Sequence, residues 1–438
     1  MRRLIIADLR AHLVLWVPAL IAMTVAAAIG AGIVIAMWTG IVVAPDDWIL
    51  EGLEAIGTTV GVITVASAAG IIGSTCALCL SSQAREHALR LLTGMRPHQL
   101  RRVLRGQILA LALLAGILAV PLSYLAAWAV LWQWAQLGLV PVGQGPILAG
   151  GQIPLVLGLT VLMAVWGAAG PTRRATTVPE MAALRESAGG RARTGWLKIL
   201  VSVVALGGAI AILVTVLSGA VSGPEERVGA VMSACLLLIL ALLLVPGWTL
   251  RPLLHAWTAL VPSRAVVWRL ARANCRFSSA RSLTMITPFA VATSLVAVLD
   301  GGISAVAGAE GSLAELAVVL GPPLAVAWCG GVCVIAMVRR DRVRDDALLA
   351  VAGGGPGLRR ATAALEGLVY ALTAVLFGAI FLIGSVLLMS SAAGMPVSTA
   401  MGNLPWSHLE VLALATVATS VGAVLWTGRA EPRLVAAG

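Results

Sequence analysis

The chain has 438 residues, of which 60% are hydrophobic and 11% are charged, and its mean hydropathy is +0.98. A soluble globular chain carries roughly a quarter charged residues, so the composition excludes an ordinary soluble protein and indicates an integral membrane protein. The formal net charge is +11, but the basic residues flank apolar runs and form no stripe with aromatics between them, which argues against a nucleic-acid partner.

Apolar runs long enough to cross about 30 Å of hydrocarbon recur along the chain. From these runs we predict an all-α polytopic membrane protein with ten membrane-spanning helices. The predicted spans are 13–43, 55–80, 106–133, 150–171, 198–219, 228–250, 283–306, 313–338, 361–389 and 409–428.

The basic residues predict the orientation of these spans. With the N-terminus placed in the cytoplasm, 29 of the 30 Lys and Arg residues fall in inner segments, and only Arg227 lies outside. We therefore predict a multi-pass protein with both termini in the cytoplasm. The inner charge predicts contact with anionic lipid headgroups and a cytosolic partner. The preference for Arg over Lys and the abundant Ala, Gly and Val favour a bacterial cytoplasmic membrane.

Two basic, helix-forming stretches resemble each other. The first, QAREHALRLLTGMRPHQLRR, begins at residue 83, and the second, RVRDDALLAVAGGGPGLRR, begins at residue 342. A shift of 259 positions, from 85 to 344, aligns them. The matched pairs are Arg85 with Arg344, Glu86 with Asp345, Ala88 with Ala347, Leu89 with Leu348 and Gly94 with Gly353. The chain therefore contains a repeated element.

Each stretch follows the second span of a predicted four-helix unit. We predict a first unit at 1–172, a two-helix linker at 173–262 and a second unit at 263–438. Because each unit has an even number of spans, both begin in the cytoplasm, and the repeats are parallel with a substrate path near their interface. Each stretch is then a cytoplasmic elbow, a short helix that Gly94 or Gly353 ends before the next span. The alternative is an ordinary solvated loop that its arginines keep inside.

The stretch REHALRLLTGMRPHQLRRVLRGQILALALLAGIL resembles the coupling segment and following helix of FtsX-like ABC transporter permeases, the MacB/FtsX superfamily. The pattern R-E-x-x-L-R-x-x-G is matched by Arg85, Glu86, Leu89, Arg90 and Gly94. A Glu that often opens the following helix in this family corresponds to Gln107 in the first half and Glu366 in the second.

The second copy departs from the pattern, because Asp345 replaces the Glu and the second Arg is missing. The ten-helix duplicated plan is similar to that of BceB-type members, which act against peptide antibiotics, but this chain has no room for their large extracellular domain between the first two spans.

The resemblance implies a permease without its own ATPase. A P-loop requires G-x-x-x-x-G-K-[ST], and the only Lys, Lys198, stands in GWLKIL. Two copies of a separate ABC ATPase would bind ATP and Mg and dock one at each elbow. The residues expected to couple them are Arg85, Glu86, Leu89, Arg90 and Gly94 in the first elbow and Arg344, Asp345, Asp346 and Gly353 in the second. No cofactor or metal site, and no catalytic residue, is predicted in this chain.

The expected cargo is a hydrophobic or amphiphilic compound, such as a peptide, an antibiotic or a lipid-like molecule, that is exported or extracted from the membrane. A further prediction assigns the attraction of a cationic substrate to acids near the outer face: Asp46, Asp47, Glu51, Glu54, Asp300 and Glu310. Two other functions stay open: a regulatory scaffold that transmits ATPase motion to a partner, and an ion-coupled secondary transporter.

Overall fold

A computed structural model describes residues 13–44, 46–147, 150–175, 196–221, 223–262, 265–308 and 313–428. The described residues contain sixteen α-helices, one π-helical turn and no strand. In chain order the helices are α1 (Leu13–Val43), α2 (Asp47–Ser82), α3 (Ala84–Leu92), α4 (Pro97–Gln136), α5 (Gln152–Ala175), α6 (Trp196–Leu217), α7 (Pro224–Leu244), α8 (Pro246–Leu260), α9 (Val266–Phe277), α10 (Ser279–Val296), α11 (Gly302–Ala307), α12 (Leu313–Met337), α13 (Arg339–Val351), α14 (Pro356–Ala393), α15 (Val397–Gly402) and α16 (Trp406–Gly428).

The predicted all-α polytopic membrane fold is confirmed. Nine of the described helices are long and apolar enough to cross a membrane. They are Trp16–Val43, Ile63–Leu80, Pro97–Gln136, Lys198–Leu217, Pro224–Leu244, Arg281–Ala307, Val319–Met337, Pro356–Ala393 and Trp406–Trp426. The remaining predicted span, 150–171, forms α5, in which the described apolar stretch Gln152–Val165 is shorter.

Two predicted spans are not continuous α-helices in the structure. The span predicted at 228–250 is interrupted, because α7 ends at Leu244 and α8 begins at Pro246. Proline has no N–H for the helical ladder, and its ring clashes with the preceding turn. The span predicted at 283–306 contains a π-helical turn at Ala297–Gly301 between α10 and α11. π-helical turns are rare in proteins, and those that occur are often found at functional sites.

The described helices pack as two compact units, and the first comprises α1 to α5 together with α12. Within it α1 packs against α2 and α4, and α2 packs against α5 and α12. Close approach depends on small residues. A Cβ on Gly32 would lie 2.7 Å from the Cβ of Ala126, and one on Gly330 would lie 2.5 Å from Ile71. Membrane helices associate largely through such close backbone contact.

The second unit comprises α6 to α11 and α13 to α16. Its central helix is α14, which packs against α16, α10, α7 and α9. Hydroxyl groups join these helices: Thr293 Oγ1 donates to the Ala374 carbonyl at 2.8 Å, and Ser420 Oγ donates to the Gly367 carbonyl at 3.1 Å. Such hydrogen bonds between membrane helices contribute about 0.6 kcal/mol each on average.

Helix α12 follows the second unit's helices in sequence but packs in the first unit. The unit bounds predicted from the repeat, 1–172, 173–262 and 263–438, describe similarity along the sequence and stay a prediction.

Candidate functional site

The first elbow, residues 83–97, is a short helix ended by a tight backbone motif. Helix α3 ends at Leu92, and Gly94 adopts a φ of +98°. The N–H of Gly94 donates to the Leu91 carbonyl at 3.1 Å, and the N–H of Met95 donates to the Arg90 carbonyl at 3.1 Å. This pair of bonds is a Schellman motif, which favours glycine because an L side chain is strained at positive φ.

The second elbow, residues 339–356, repeats this motif bond for bond. Gly353 has a φ of +85°, and its N–H donates to the Ala350 carbonyl at 3.0 Å. The N–H of Gly354 donates to the Leu349 carbonyl at 2.8 Å. Every donor and acceptor in this pair of bonds lies 259 positions after its counterpart in the first elbow, as the sequence shift predicts.

Each elbow passes into a long helix through one extended residue and a proline. Arg96 has φ −74° and ψ 144°, and Pro97 is the first residue of the 40-residue helix α4. Gly355 has φ −63° and ψ 164°, and Pro356 is the first residue of the 38-residue helix α14. Proline suits the first helical position because its fixed φ is helical and its missing N–H has no partner there. The elbow backbone is therefore fixed at both ends.

Both elbows expose an apolar pair at the same positions. Leu89 and Leu92 are 49% and 52% exposed, and Leu348 and Val351 are 63% and 89% exposed. Residues three apart lie next to each other on a helix surface. Each elbow therefore offers an apolar ridge at its helix end, and apolar surface of this kind is typical of the centre of a protein interface.

The charged residues of the two elbows have different partners. In the first elbow Glu86 and Arg90 approach to 3.9 Å within α3. In the second elbow Asp345 accepts a hydrogen bond from Arg281 on α10, with Nη2 to Oδ2 at 3.1 Å. Asp345 is thus connected to a membrane-spanning helix of its own unit. The side chains of Arg85 and Arg344 lie outside the described residues, although the backbone of both is helical.

A small polar pocket lies beside the second elbow. Asn274 Nδ2 on α9 donates to Glu366 Oε1 on α14 at 2.8 Å. The pocket residues are Asn274, Asp345, Asp346, Leu349, Arg359, Thr362, Ala363, Glu366 and Val424. The structure therefore brings Asp345, Asp346 and Glu366 together, next to α9 and α16.

The outer acids proposed for substrate attraction are in unlike settings. Asp46 is exposed before α2, whereas Asp300 is buried in the π-helical turn. Its carboxylate lies 3.2 Å from His408 Nδ1 and 3.5 Å from Ser304 Oγ. A carboxylate enclosed in this way is poorly placed to meet a cation from solvent. Side chains of Asp47, Glu51 and Glu54, and all of Glu310, lie outside the described residues.

Some site residues were not found from the sequence. Pro97 and Pro356 carried a readable signal, since they are separated by the same 259 positions as the matched elbow residues. Arg281, Asn274 and His408 carried none, because each is far along the chain from the acid it contacts. No charge pattern within one helix indicates such pairs.

One segment of the chain matches a known protein family. Residues 58–178 match the family model described as FtsX-like permease C-terminal. The matched segment covers most of α2, the first elbow, α4 and α5, so it includes the geometry of the first elbow. No curated protein matches the chain. The resemblance seen in the elbow sequence is thus confirmed: residues 58–178 of this polytopic membrane protein are similar to the FtsX-like permease family.

Proposed function

We propose that this chain is the transmembrane permease subunit of an ABC transporter, and that a separate ATPase drives it. FtsX-like permeases are in general non-catalytic membrane subunits that work with an ABC ATPase, and the family match covers the first elbow. The observation that carries the proposal for the whole chain is the second elbow. It has the same Schellman bonds, the same proline start and the same exposed apolar pair as the first.

The elbow geometry suits the transmission of force. A docked protein that pushes on α3 or α13 displaces a helix whose end is fixed by hydrogen bonds and which joins α4 or α14 within a few residues. Both long helices exceed the length needed to cross the hydrocarbon region. Movement of an elbow therefore passes to the membrane-spanning helix as a rigid displacement.

Two docking elbows in one chain imply two copies of the ATPase. ATP and Mg would be bound by that partner, and its closure would move both elbows. The apolar ridges Leu89 with Leu92 and Leu348 with Val351 would enter pockets on the two copies, with Glu86, Arg90 and Asp346 forming the polar rim. An apolar centre with a charged rim is the usual anatomy of such an interface.

The surface of the spans supports a proposal for the class of cargo. Exposed side chains on α4 include Ile117, Leu125, Trp128 and Trp132, and the described spans are apolar along most of their length. We infer that the cargo is hydrophobic or amphiphilic, a peptide, antibiotic or lipid-like molecule that is exported or extracted, with efflux and antibiotic resistance as the biological setting. The proposed location is the bacterial cytoplasmic membrane, with elbows and termini in the cytoplasm, as the basic residues predict.

One observation favours a second candidate, an ion-coupled transporter. Asp300 is buried in a π-helical turn of a spanning helix and pairs with His408 at 3.2 Å. Ionisable residues within membrane helices commonly mark ion or proton pathways. This candidate predicts transport without any ATPase.

The deciding experiment is native mass spectrometry of the chain purified in lipid with the ATPase encoded beside it. We expect one permease with two ATPases. Leu89→Ser with Leu92→Ser, or Leu348→Ser with Val351→Ser, should each reduce the stoichiometry to one ATPase. Val142→Ser, at an exposed apolar position in the loop after α4, is the control. A permease that purifies alone and stimulates no ATPase would exclude the ABC function and favour the ion-coupled one.

Charge reversal tests coupling separately from docking. Arg85→Glu with Glu86→Arg should leave membrane insertion intact and separate ATP hydrolysis from transport. Unchanged transport in this variant would contradict the role assigned to the first elbow.

A further inference from the structure

We propose that α8 and α9 together form a binding site for anionic phospholipid headgroups at the membrane surface. The site consists of Arg269 and Arg272 on α9 and Arg251 and His255 on α8. The proposal is independent of the proposed ABC function.

Helix α9 has three distinct faces. Ala271 and Cys275 are buried and form the face toward α14. Arg269, Arg272 and Arg276, spaced by three and four residues, form a basic stripe on another face, where Arg269 is exposed and Arg272 and Arg276 are half-buried. Val266 and Phe277 are exposed along one edge of that stripe. A helix with a basic face beside an exposed apolar edge is suited to lie in the plane of a membrane surface.

Helix α8 adds further positive charge to the same place. Arg276 Nη2 donates to the His255 carbonyl at 2.7 Å and to Thr258 Oγ1 at 2.9 Å, which joins α9 to α8. Burial and the neighbouring Arg276 and Arg251 lower the pKa of His255, and burial and Arg272 lower the pKa of Arg276. Arg251 and Arg276 thus lie near His255, and Arg272 lies near Arg276.

Nothing in the described part of the chain neutralises this cluster: no carboxylate there lies within ion-pair distance of Arg251, Arg269, Arg272 or Arg276. Like charges that crowd together without an acidic partner are stabilised by an external anion. The cluster is therefore electrostatically prepared for a phosphate group.

The two helices are fixed to the rest of the unit by aromatic contacts. Trp257 on α8 and Trp268 on α9 lie with ring centroids 6.0 Å apart. Trp257 Nε1 also donates to Thr373 Oγ1 on α14 at 3.0 Å. Trp248, on the first turn of α8, is exposed, as expected for a tryptophan at a membrane interface. The basic cluster is therefore held in place before any ligand binds.

The position on the chain identifies the occupant as lipid. Helix α8 follows the span Pro224–Leu244 directly, and α9 comes just before the span Arg281–Ala307. Both helices therefore lie where spans leave the hydrocarbon region. The exposed Val266, Phe277 and Trp248 suit acyl chains, while the arginines suit phosphates, and a lipid supplies both groups on one molecule.

The test is lipid binding by the full chain. Purified protein is exchanged into nanodiscs of phosphatidylcholine with 30% phosphatidylglycerol. The phosphatidylglycerol that stays bound after detergent release is measured by native mass spectrometry. We expect about fivefold weaker retention for each cation removed. Arg269→Gln with Arg272→Gln should lose retention, and Arg269→Lys with Arg272→Lys should keep most of it. Arg102→Gln with Arg105→Gln, two exposed arginines on α4, removes the same charge elsewhere and should have little effect.

Four results would overturn the proposal. Equal loss in the α4 control would show that net charge alone attracts lipid. Unchanged retention in the glutamine variant would show that α9 is not the site. Full displacement of the lipid by inorganic phosphate would show a site for free phosphate. ATPase stoichiometry is measured on the same samples, so a failure of the ABC proposal is seen separately. Loss of ATPase in the glutamine variant with lipid retention intact would identify a protein-binding surface and also overturn the lipid site.

Discussion

The first and second elbows share their backbone and differ in what their side chains contact. Both end a short helix with a Schellman motif at a glycine and start a long helix at a proline. In the first elbow the described ion pair, Glu86 with Arg90, stays within one helix. In the second, Asp345 reaches Arg281 on a spanning helix. The comparison teaches that glycine and proline determine the backbone shape of an elbow. Residues distant along the chain determine which spanning helix the elbow contacts.

The largest expected difference between the two halves is in stability, when a glycine in the long helix after each elbow is replaced by alanine. A Cβ on Gly367 of α14 would lie 2.8 Å from the Cα of Val421 on α16, where only a shift of the backbone can make room. A Cβ on Gly116 of α4 would lie 2.8 Å from Leu157 Cδ2, the tip of a flexible side chain. We expect Gly367→Ala to lower the free energy of unfolding by about 1–3 kcal/mol and Gly116→Ala by less than about 1 kcal/mol.

Thermal unfolding of both variants in the same detergent measures this contrast. Equal destabilisation would show that the two long helices are packed alike against their neighbours.

The elbow glycines should be equivalent. No atom lies within 4 Å of a Cβ placed on Gly94 or Gly353, so each alanine variant meets conformational strain alone. An L residue in this left-handed region costs about 1–2 kcal/mol. Gly94→Ala and Gly353→Ala should therefore weaken ATPase binding to similar extents, measured as ATPase retained by the purified complex.

Gly138→Ala is the matched control for the elbow glycines. Gly138 has a φ of +72° and open space around it, but it lies in the loop after α4. The Gly138→Ala variant should be less stable, but its purified complex should retain the ATPase. Loss of ATPase in this variant as well would mean that general destabilisation explains the elbow variants.

The ion pair of the second elbow should have a smaller effect. Arg281→Gln should reduce ATP hydrolysis by the complex up to about fivefold, because a partly exposed ion pair contributes about 0.2–1 kcal/mol. Arg90→Gln, which removes the pair within α3, should have less effect. The charge swap Arg281→Asp with Asp345→Arg should recover activity. No recovery would mean that Arg281 acts through some contact other than Asp345.

The smallest expected effect is a dependence on pH at α8, which lies in the predicted linker and has no counterpart in the first unit. The folded protein lowers the pKa of His255 below its ordinary value of 6.5, because burial and two arginines disfavour the charged form. The unfolded chain then binds the proton more readily, so stability is full above pH 6.5 and falls as the pH drops toward the folded pKa. His255→Gln should flatten the melting temperature between about pH 7 and pH 5. An unchanged pH profile would exclude His255 as the source.

The sequence predicted the membrane class and most spans because spanning helices satisfy their backbone hydrogen bonds locally, so their apolar runs are readable. It also predicted the elbow ends at Gly94 and Gly353, where the backbone needs a particular residue. The break at Pro246 was equally readable but was missed, since the apolar run continues through it. The π-helical turn at Asp300 was not readable, because it depends on contacts with α14 and α16.

By itself, therefore, the sequence determined the apolar helices, the shape of the two elbows and the resemblance to FtsX-like permeases, all of which depend on residues close along the chain. Only the tertiary structure decided that α12 packs in the first unit, that Arg281 pairs with Asp345 and that Asp300 pairs with His408. Apolar helices in lipid gain little from hydrophobic burial against one another. Their choice of neighbour therefore depends on the fit of small residues and on a few polar contacts that join distant parts of the chain.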